Sequence, residues 1–219
     1  VNVSFIARDR EGWLSKKSTT IGTAKGHKKM NEVKKIKIQK VGGKRPRTAS
    51  IVTDLSKENL EETDFVWHAV QDAFILKGEE LGVEPYLLQV FDWRWQWAEF
   101  ETHPAELYGL AVKGALEGLL LVKPGPSKLQ DGKQLLVVEA LMAAPWNRKA
   151  DLALIDRVPQ FEGVGKALID FAKARSVDMG LEGRLGTEPI NGSDVFYRKC
   201  GMTIWTVWTP METTWGELD

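Results

Sequence analysis

Three apolar runs follow one another, Leu107 to Lys113, Ala115 to Lys123 and Gln134 to Ala144, with only turns between them. Gly114 parts the first two, and Pro124-Gly125-Pro126 with Asp131-Gly132 parts the second from the third. Connections this short cannot hold a crossover, so the runs read as consecutive antiparallel strands, a meander. The third ends at Pro145, which cannot continue a sheet ladder. After a 14-residue connection (146–159) the period becomes helical, with Leu168, Phe171, Ala172 and Arg175 on one face and Gly180 placed as the C-cap. Leu181 to Ile190 reads as a strand, Ser193 to Lys199 as a short helix and Met202 to Val207 as a last strand. The order βββαβαβ predicts an α/β (α+β) fold, a mixed, mostly antiparallel sheet flanked by helices.

Upstream, Lys35 to Val41 alternates through Ile36 and Ile38 as a strand with a basic outer face, ended by Gly42-Gly43, and residues 44–50 read as a loop. Ser56 or Asp54 is placed to cap a helix that begins near Glu58. There Leu60, Phe65, Val66, Ala69, Val70, Ala73 and Phe74 recur at helical spacing until Gly82. A second helix is expected from about Pro85 to Ala98. Its aromatics also alternate at period two (Phe91, Trp93, Trp95, Trp97), so a strand fits that segment as well.

Charge divides the chain. Residues 1–50 hold 14 Lys/Arg against 3 Asp/Glu, and residues 51–219 hold 16 against 27, net charges of +11 and −11. Residues 1–29 are rich in Lys, Ser, Thr and Gly, which bury too little apolar surface to offset ordering entropy, so a flexible basic arm is expected there. It reads as a solvated tail, as an arm for nucleic acid or another anionic surface, or as a stretch upstream of a natural start at Met30; a targeting peptide also fits its low acid content. Residues 30–219 are expected to form one domain, since 190 residues bury a full core without disulfides or metals. Cys200 is the only cysteine, and His27, His68 and His103 lack metal-ligand spacing, so no metal site is expected. No apolar run approaches the roughly 18 residues of a membrane span, and no secretory segment opens the chain, so a cytoplasmic protein without membrane contact is expected.

The chemistry is concentrated in Gln160-Phe161-Glu162-Gly163-Val164-Gly165-Lys166-Ala167-Leu168, between a strand and an amphipathic helix. Glycines at 163 and 165 allow a tight bend and close approach to a ligand, and the helix start offers unpaired N–H groups to a phosphate. A Walker loop would need Gly at 160 and Ser or Thr at 167, where Gln and Ala stand. A dinucleotide fingerprint would need a third Gly at 168, where Leu stands. The pattern Gln/Arg-x-x-Gly-x-Gly/Ala fits without gaps, and Val195-Phe196-Tyr197-Arg198-Lys199-Cys200-Gly201-Met202 fits a later Phe-Tyr-x-x-x-Gly-Phe/Met signature. Together, and in this order of elements, they resemble the GNAT superfamily of N-acetyltransferases over roughly residues 105–208.

That resemblance implies an acyl-CoA-dependent N-acyltransferase domain over residues 30–219, with acetyl-CoA as co-substrate. It implies that main-chain N–H groups of Phe161, Glu162, Gly163, Val164 and Gly165 hold the pyrophosphate, with Gln160 and Lys166 as side-chain contacts. It implies that Leu141 to Pro145 pairs with the pantetheine arm, that an N–H near Met142 or Ala143 polarises the thioester carbonyl, and that Tyr197 protonates the departing thiolate. Members often place an Asn seven residues before the Tyr, against CoA; here Asn191 lies six before Tyr197. The 14-residue connection is longer than is usual in the family, which makes Trp146, Asn147, Arg148, Leu152, Leu154 and Ile155 candidates to shape the acceptor pocket or mere padding. Cys200 reads as packing.

An alkylamine acceptor has a pKa of about 10.4 and must lose a proton before it attacks. Glu139 is the first candidate base, since regular alternation gives it the same face as Leu141 and Ala143, with Glu162 and Asp156 behind it; a solvent-facing edge carboxylate is the alternative. The acidic body suits a cationic small molecule or a protein lysine, and the basic segment admits an aminoacyl-tRNA, as used by toxins of the resembling family. A non-catalytic acyl-CoA-binding module, or a nucleic-acid binder working through residues 1–50, are the other readings. Trp205, Trp208 and Trp215 either form a homodimer contact or close the sheet.

Overall fold

The computed structural model describes residues 2–8, 14–20, 30–83, 105–189, 193–207 and 213–218. In chain order the elements are β1 (Asn2–Arg8), β2 (Leu14–Thr20), β3 (Asn31–Lys40), β4 (Arg47–Thr53), α1 (Lys57–Glu80), β5 (Glu106–Val112), β6 (Ala115–Pro126) and β7 (Gln134–Ala143). A 3-10 turn (Pro145–Asn147) and α2 (Lys149–Ala153) lead to β8 (Phe161–Glu162), α3 (Val164–Asp178), β9 (Leu185–Thr187), α4 (Asp194–Lys199), β10 (Thr203–Val207) and β11 (Thr213–Leu218).

The meander of β5, β6 and β7 forms as expected in the middle of a nine-stranded sheet ordered β10-β11-β9-β7-β6-β5-β4-β3-β8. Leu119, Leu120, Leu121 and Val122 are each at most 3% exposed because both faces of the sheet are covered, which is why β6 reads as a continuous apolar run. On one face Leu110, Leu120, Val122, Leu136 and Val138 pack with Val164, Leu168, Ile169 and Ala172 of α3. On the other, Leu107, Leu119, Leu121 and Ala140 pack with Leu60 and Trp67 of α1. Each such fully buried leucine contributes about 1.5–3 kcal/mol. The fold is therefore a mixed, mostly antiparallel sheet flanked by helices; among the described strands only β7 and β9 run parallel.

Local signals set the helix ends. Ser56 caps α1 through a capping box: the Asn59 N–H donates to Ser56 Oγ at 3.3 Å, and Asn59 Oδ1 accepts from the Ser56 N–H at 3.0 Å. At the end of α3 the Gly180 N–H donates to the Val177 carbonyl and the Leu181 N–H to the Ser176 carbonyl. Arg175 then fastens α3 to β5 by a bidentate pair with Glu106, Nε to Oε2 at 2.8 Å and Nη2 to Oε1 at 2.5 Å. The guanidinium holds the Glu106 carboxyl below its ordinary range, and burial with the Glu106 charge pushes the neighbouring Tyr108 phenol up to about 12.

Four expectations are corrected. Residues 47–50, read as loop, open β4, whose Ala49 and Ile51 are buried; the basic run Lys44 to Arg47 had masked the strand. Within residues 1–29, expected to show no strand periodicity beyond Val1 to Ile6, β1 and β2 pair antiparallel from Asn2↔Thr20 to Arg8↔Leu14; Ser and Thr suit a strand while adding little apolar signal. The strand expected over Leu181 to Ile190 shrinks to Leu185–Thr187, because the turn after α3 occupies residues 179–183. A further strand, β11, inserts between β9 and β10, with Gly216 opposite both Thr187 and Ile204. Trp215 on β11 is buried against Leu135 and Val137, so this tryptophan closes the sheet. The Trp205 side chain, Trp208 and the helix expected over residues 85–98 lie outside the described residues.

Candidate functional site

A split between β7 and β9 is the geometric centre of the site. The two strands pair in parallel only at Leu136↔Leu185, Val137↔Gly186 and Val138↔Thr187. The Thr187 hydroxyl donates to the Val138 carbonyl at 3.0 Å and closes the last rung. There β9 ends, while β7 runs on through Ala143, so its main chain beyond Val138 has no strand neighbour on that side among the described residues. An extended ligand with amide groups can add to such an edge as a strand would.

A bulge sits at the same level. Val122 pairs with Val138 and Leu121 with Ala140, so Glu139 is the extra residue. The bulge reverses side-chain parity: Leu136 and Val138 before it, and Leu141 and Ala143 after it, all pack on the α3 face. The expectation that Glu139 shares a face with Leu141 and Ala143 by regular alternation is therefore corrected. Its carboxylate makes an ion pair with Lys123, Nζ to Oε1 at 3.0 Å. Met142 packs on the opposite face, beside Trp146.

The glycine loop approaches the split from the β3 edge. β8 pairs with β3 at Gln39↔Glu162 and Lys40↔Phe161, and the Val41 N–H donates to the Gln160 carbonyl at 3.1 Å. Gly163 is the N-cap of α3 at φ 78°, a left-handed conformation that favours glycine, and no side chain caps the helix. The first intrahelical bond runs from the Ala167 N–H to the Gly163 carbonyl at 2.8 Å, so the N–H groups of Gly163, Val164, Gly165 and Lys166 have no intrahelical acceptor. Two expected contacts need revision. The Phe161 N–H is already donated to Asn147 Oδ1 at 2.9 Å, which removes it from the cradle. Lys166 is ion-paired with Asp170 one turn along α3 at 2.6 Å. Gln160 and Glu162 are exposed, whereas Phe161 and Val164 are buried anchors. Asn191 lies outside the described residues.

α4 brings two adjacent aromatics to the same place. A Cβ on Gly165 would lie 3.1 Å from the Phe196 ring, so α3 and α4 meet there without room for a side chain. Tyr197 is 7% exposed and lies in the core that packs on the α3 face of the sheet, beside Phe196. Burial pushes the Tyr197 phenol up, so the hydroxyl keeps its proton at neutral pH, as an acid must. Burial also pushes the Cys200 thiol up, which suits packing.

Reading the sequence passed over one carboxylate. Glu117 on β6 is 4% exposed and occupies the bulge between Leu110↔Gly118 and Ala111↔Leu116. Trp146 Nε1 donates to Glu117 Oε2 at 2.6 Å and Asn147 Nδ2 donates to the same atom at 2.7 Å. Burial pushes the Glu117 carboxyl up against the pull of these two donors. Its signal was available: a lone charge inside the apolar run from Ala115 to Val122. Of the connection residues, Leu152 and Ile155 pack on Phe74 of α1, Leu154 is exposed, and Arg148 pairs with Asp151 at 2.7 Å. A depression of about 600 Å³ lined by Thr53, Ser56, Glu106 and Tyr108 lies beside β4 and β5 and includes none of the site residues.

Among the described residues no three His, Cys, Asp or Glu side chains converge as a metal site, and no helix is long and apolar enough to cross a membrane. No family model and no curated protein sequence matches the chain. Solved structures with a similar arrangement include a protein of the GNAT acetyltransferase family from Desulfovibrio desulfuricans, 12% identical, TM-score 0.48, covering 78% of this chain and 98% of that one. They also include a Bacillus subtilis acetyltransferase in complex with CoA, 14% identical, TM-score 0.40, covering 57% and 82%. A third is a mutant AtaT toxin bound to the C-terminus of the antitoxin AtaR, 11% identical, TM-score 0.39, covering 54% and 69%.

Proposed function

We propose that the chain is an acyl-CoA-dependent N-acyltransferase that moves an acetyl group from acetyl-CoA directly to a primary amine. One observation supports this above all: the β7–β9 split is bounded by an uncapped helix start and by a buried tyrosine. The three features match the three parts of an acyl-CoA. The amides of Gly163 to Lys166 suit a diphosphate, which also gains from the helix dipole. The free edge of β7 over residues 139–143 suits the amide-bearing pantetheine arm. The thioester then lies near the split, where main-chain N–H groups about Met142 and Ala143 face the oxyanion that forms on attack.

In this mechanism the neutral amine attacks the thioester carbonyl, the tetrahedral intermediate expels the thiolate, Tyr197 gives that sulfur its proton, and the proton shed by the acylated nitrogen returns to the Tyr197 phenolate, directly or through a water. Glu139, bulged out of the β6–β7 ladder beside the split, takes the ammonium proton, directly or through a water. The acceptor is a small-molecule amine or a protein lysine, in keeping with the net charge of −11 over residues 51–219.

A second reading has an observation of its own. Lys40, Lys44, Arg45 and Arg47 form no ion pair among the described residues, and their hairpin is bonded to the glycine loop through Val41. That placement suits a polyanionic acceptor such as an aminoacyl-tRNA.

Release of free thiol from acetyl-CoA, followed against a panel of small amines, lysine peptides and charged tRNA, tests both. Turnover with an amine is expected, and Glu139→Gln is expected to lower it by about 10²-fold with coenzyme affinity unchanged, the low end for a general base. Coenzyme binding without turnover on any member would instead leave an acyl-CoA-binding module.

A further inference from the structure

The connection from β7 to the glycine loop is long, yet its two ends touch. The Gln160 N–H donates to the Trp146 carbonyl at 2.9 Å, and the Phe161 N–H to Asn147 Oδ1 at 2.9 Å. Residues 148–159 thus form an excursion closed at its neck. The neck is itself tied to the sheet: the Ala144 N–H donates to the Glu117 carbonyl at 2.9 Å, and Glu117 Oε2 accepts from both Trp146 Nε1 and Asn147 Nδ2. Asn147, Phe161 and Glu117 are all buried, so no water competes freely for these groups.

An Asn amide presents a donor and an acceptor on opposite sides. With Nδ2 committed to an acceptor-only carboxylate, Oδ1 is left to face Phe161. We infer that Glu117 and Asn147 act as a clasp, in which the carboxylate orients the Asn147 amide and the amide fixes the first residue of the glycine loop. Asn147 is therefore a positioning residue for coenzyme affinity: it holds Phe161, two residues before Gly163, although it stands sixteen residues from that glycine itself. The inference rests on the coenzyme site proposed above.

The test uses the full chain, with coenzyme A as the probe in calorimetry and amide hydrogen exchange at Phe161 as an independent readout. Asn147→Ala is expected to weaken coenzyme A binding roughly ten- to hundredfold, as befits loss of a buried hydrogen-bond partner, and to speed exchange at Phe161 while the amides of β6 stay protected. Asn147→Asp sets two carboxylates against each other and is expected to match that loss. Adding Glu117→Gln to Asn147→Asp sets a donor opposite the new acceptor but also opposite Trp146 Nε1, which shares Glu117 Oε2 in the wild type, so affinity and Phe161 protection are expected to recover in part, above Asn147→Asp and below wild type. In steady-state kinetics the KM of Asn147→Ala for acetyl-CoA is expected to rise by the same ten- to hundredfold. Wild-type affinity in either single variant, or failure of the double variant to recover, would overturn the clasp. If the wild-type chain itself takes up no coenzyme A, the functional reading fails. Phe161 exchange then decides the clasp alone, upheld by faster exchange in Asn147→Ala and overturned by unchanged exchange.

Discussion

Tyr197→Phe is expected to slow acetyl transfer by roughly 10²–10⁴-fold while coenzyme affinity stays within about twofold of wild type. The change deletes one oxygen from a side chain that is 7% exposed and leaves the ring in the core beside Phe196, at 5.1 Å between centroids. Packing is preserved, so stability is expected to change by no more than about 1 kcal/mol. What disappears is the proton donor at the end of β9, needed only as the thiolate leaves. Steady-state kinetics beside calorimetry separate the two effects. The pH profile adds a check. Burial raises the Tyr197 phenol above its ordinary range, so the acid form persists as pH rises, and its loss should appear as an alkaline limb beyond the usual tyrosine range. That limb is expected to vanish in Tyr197→Phe. Unchanged turnover in the variant would remove the acid role.

Gly118→Val is expected to weaken coenzyme binding by roughly 10²-fold and to lower Tm by about 3–10 °C. Gly118 lies on β6 between Leu110 and Ala143, directly under the first turn of α3. A Cβ there would stand 2.7 Å from Val164 Cγ1, 3.0 Å from Leu168 Cδ1 and 3.1 Å from the Met142 carbonyl oxygen. Val164 and Leu168 are 3% and 0% exposed and have no room to retreat except by lifting the helix. Lifting α3 moves the uncapped amides of Gly163 to Lys166 away from the edge of β7, and two halves of one ligand site separate. Thermal melts and calorimetry on a variant with unchanged far-ultraviolet dichroism measure both effects. Normal coenzyme affinity in such a variant would show that the helix start is not part of the site.

Much of this was legible in the sequence because the signals are local. Leucine and valine runs broken by Gly114 and Asp131-Gly132 define the meander, and Ser56, Gly163 and Gly180 mark helix ends by their own backbone preferences. The placement of Tyr197 followed from a short motif on a short helix. What stayed hidden depends on partners far away in the chain. A bulge adds a residue without changing composition, so the parity of Glu139 was misread. β11 has a buried Glu217 whose carboxylate accepts from Ser127, the Lys128 N–H and Trp215, and a charge in the pattern conceals a strand until those donors are seen. The commitment of the Phe161 N–H to Asn147 was equally invisible, since it requires the neck at residues 146–161 to close.

The central claim is that an acyl-CoA lies along β7 with its diphosphate on the first turn of α3. Titrating coenzyme A into isotope-labelled protein while following assigned backbone amide resonances tests it most directly. The account predicts saturable shifts at Gly163, Val164, Gly165 and Lys166 together with the β7 amides from Glu139 to Ala143, and little change at Phe161, whose N–H is already held. Shifts confined to other surfaces, or none at all in a large excess of coenzyme, would contradict it.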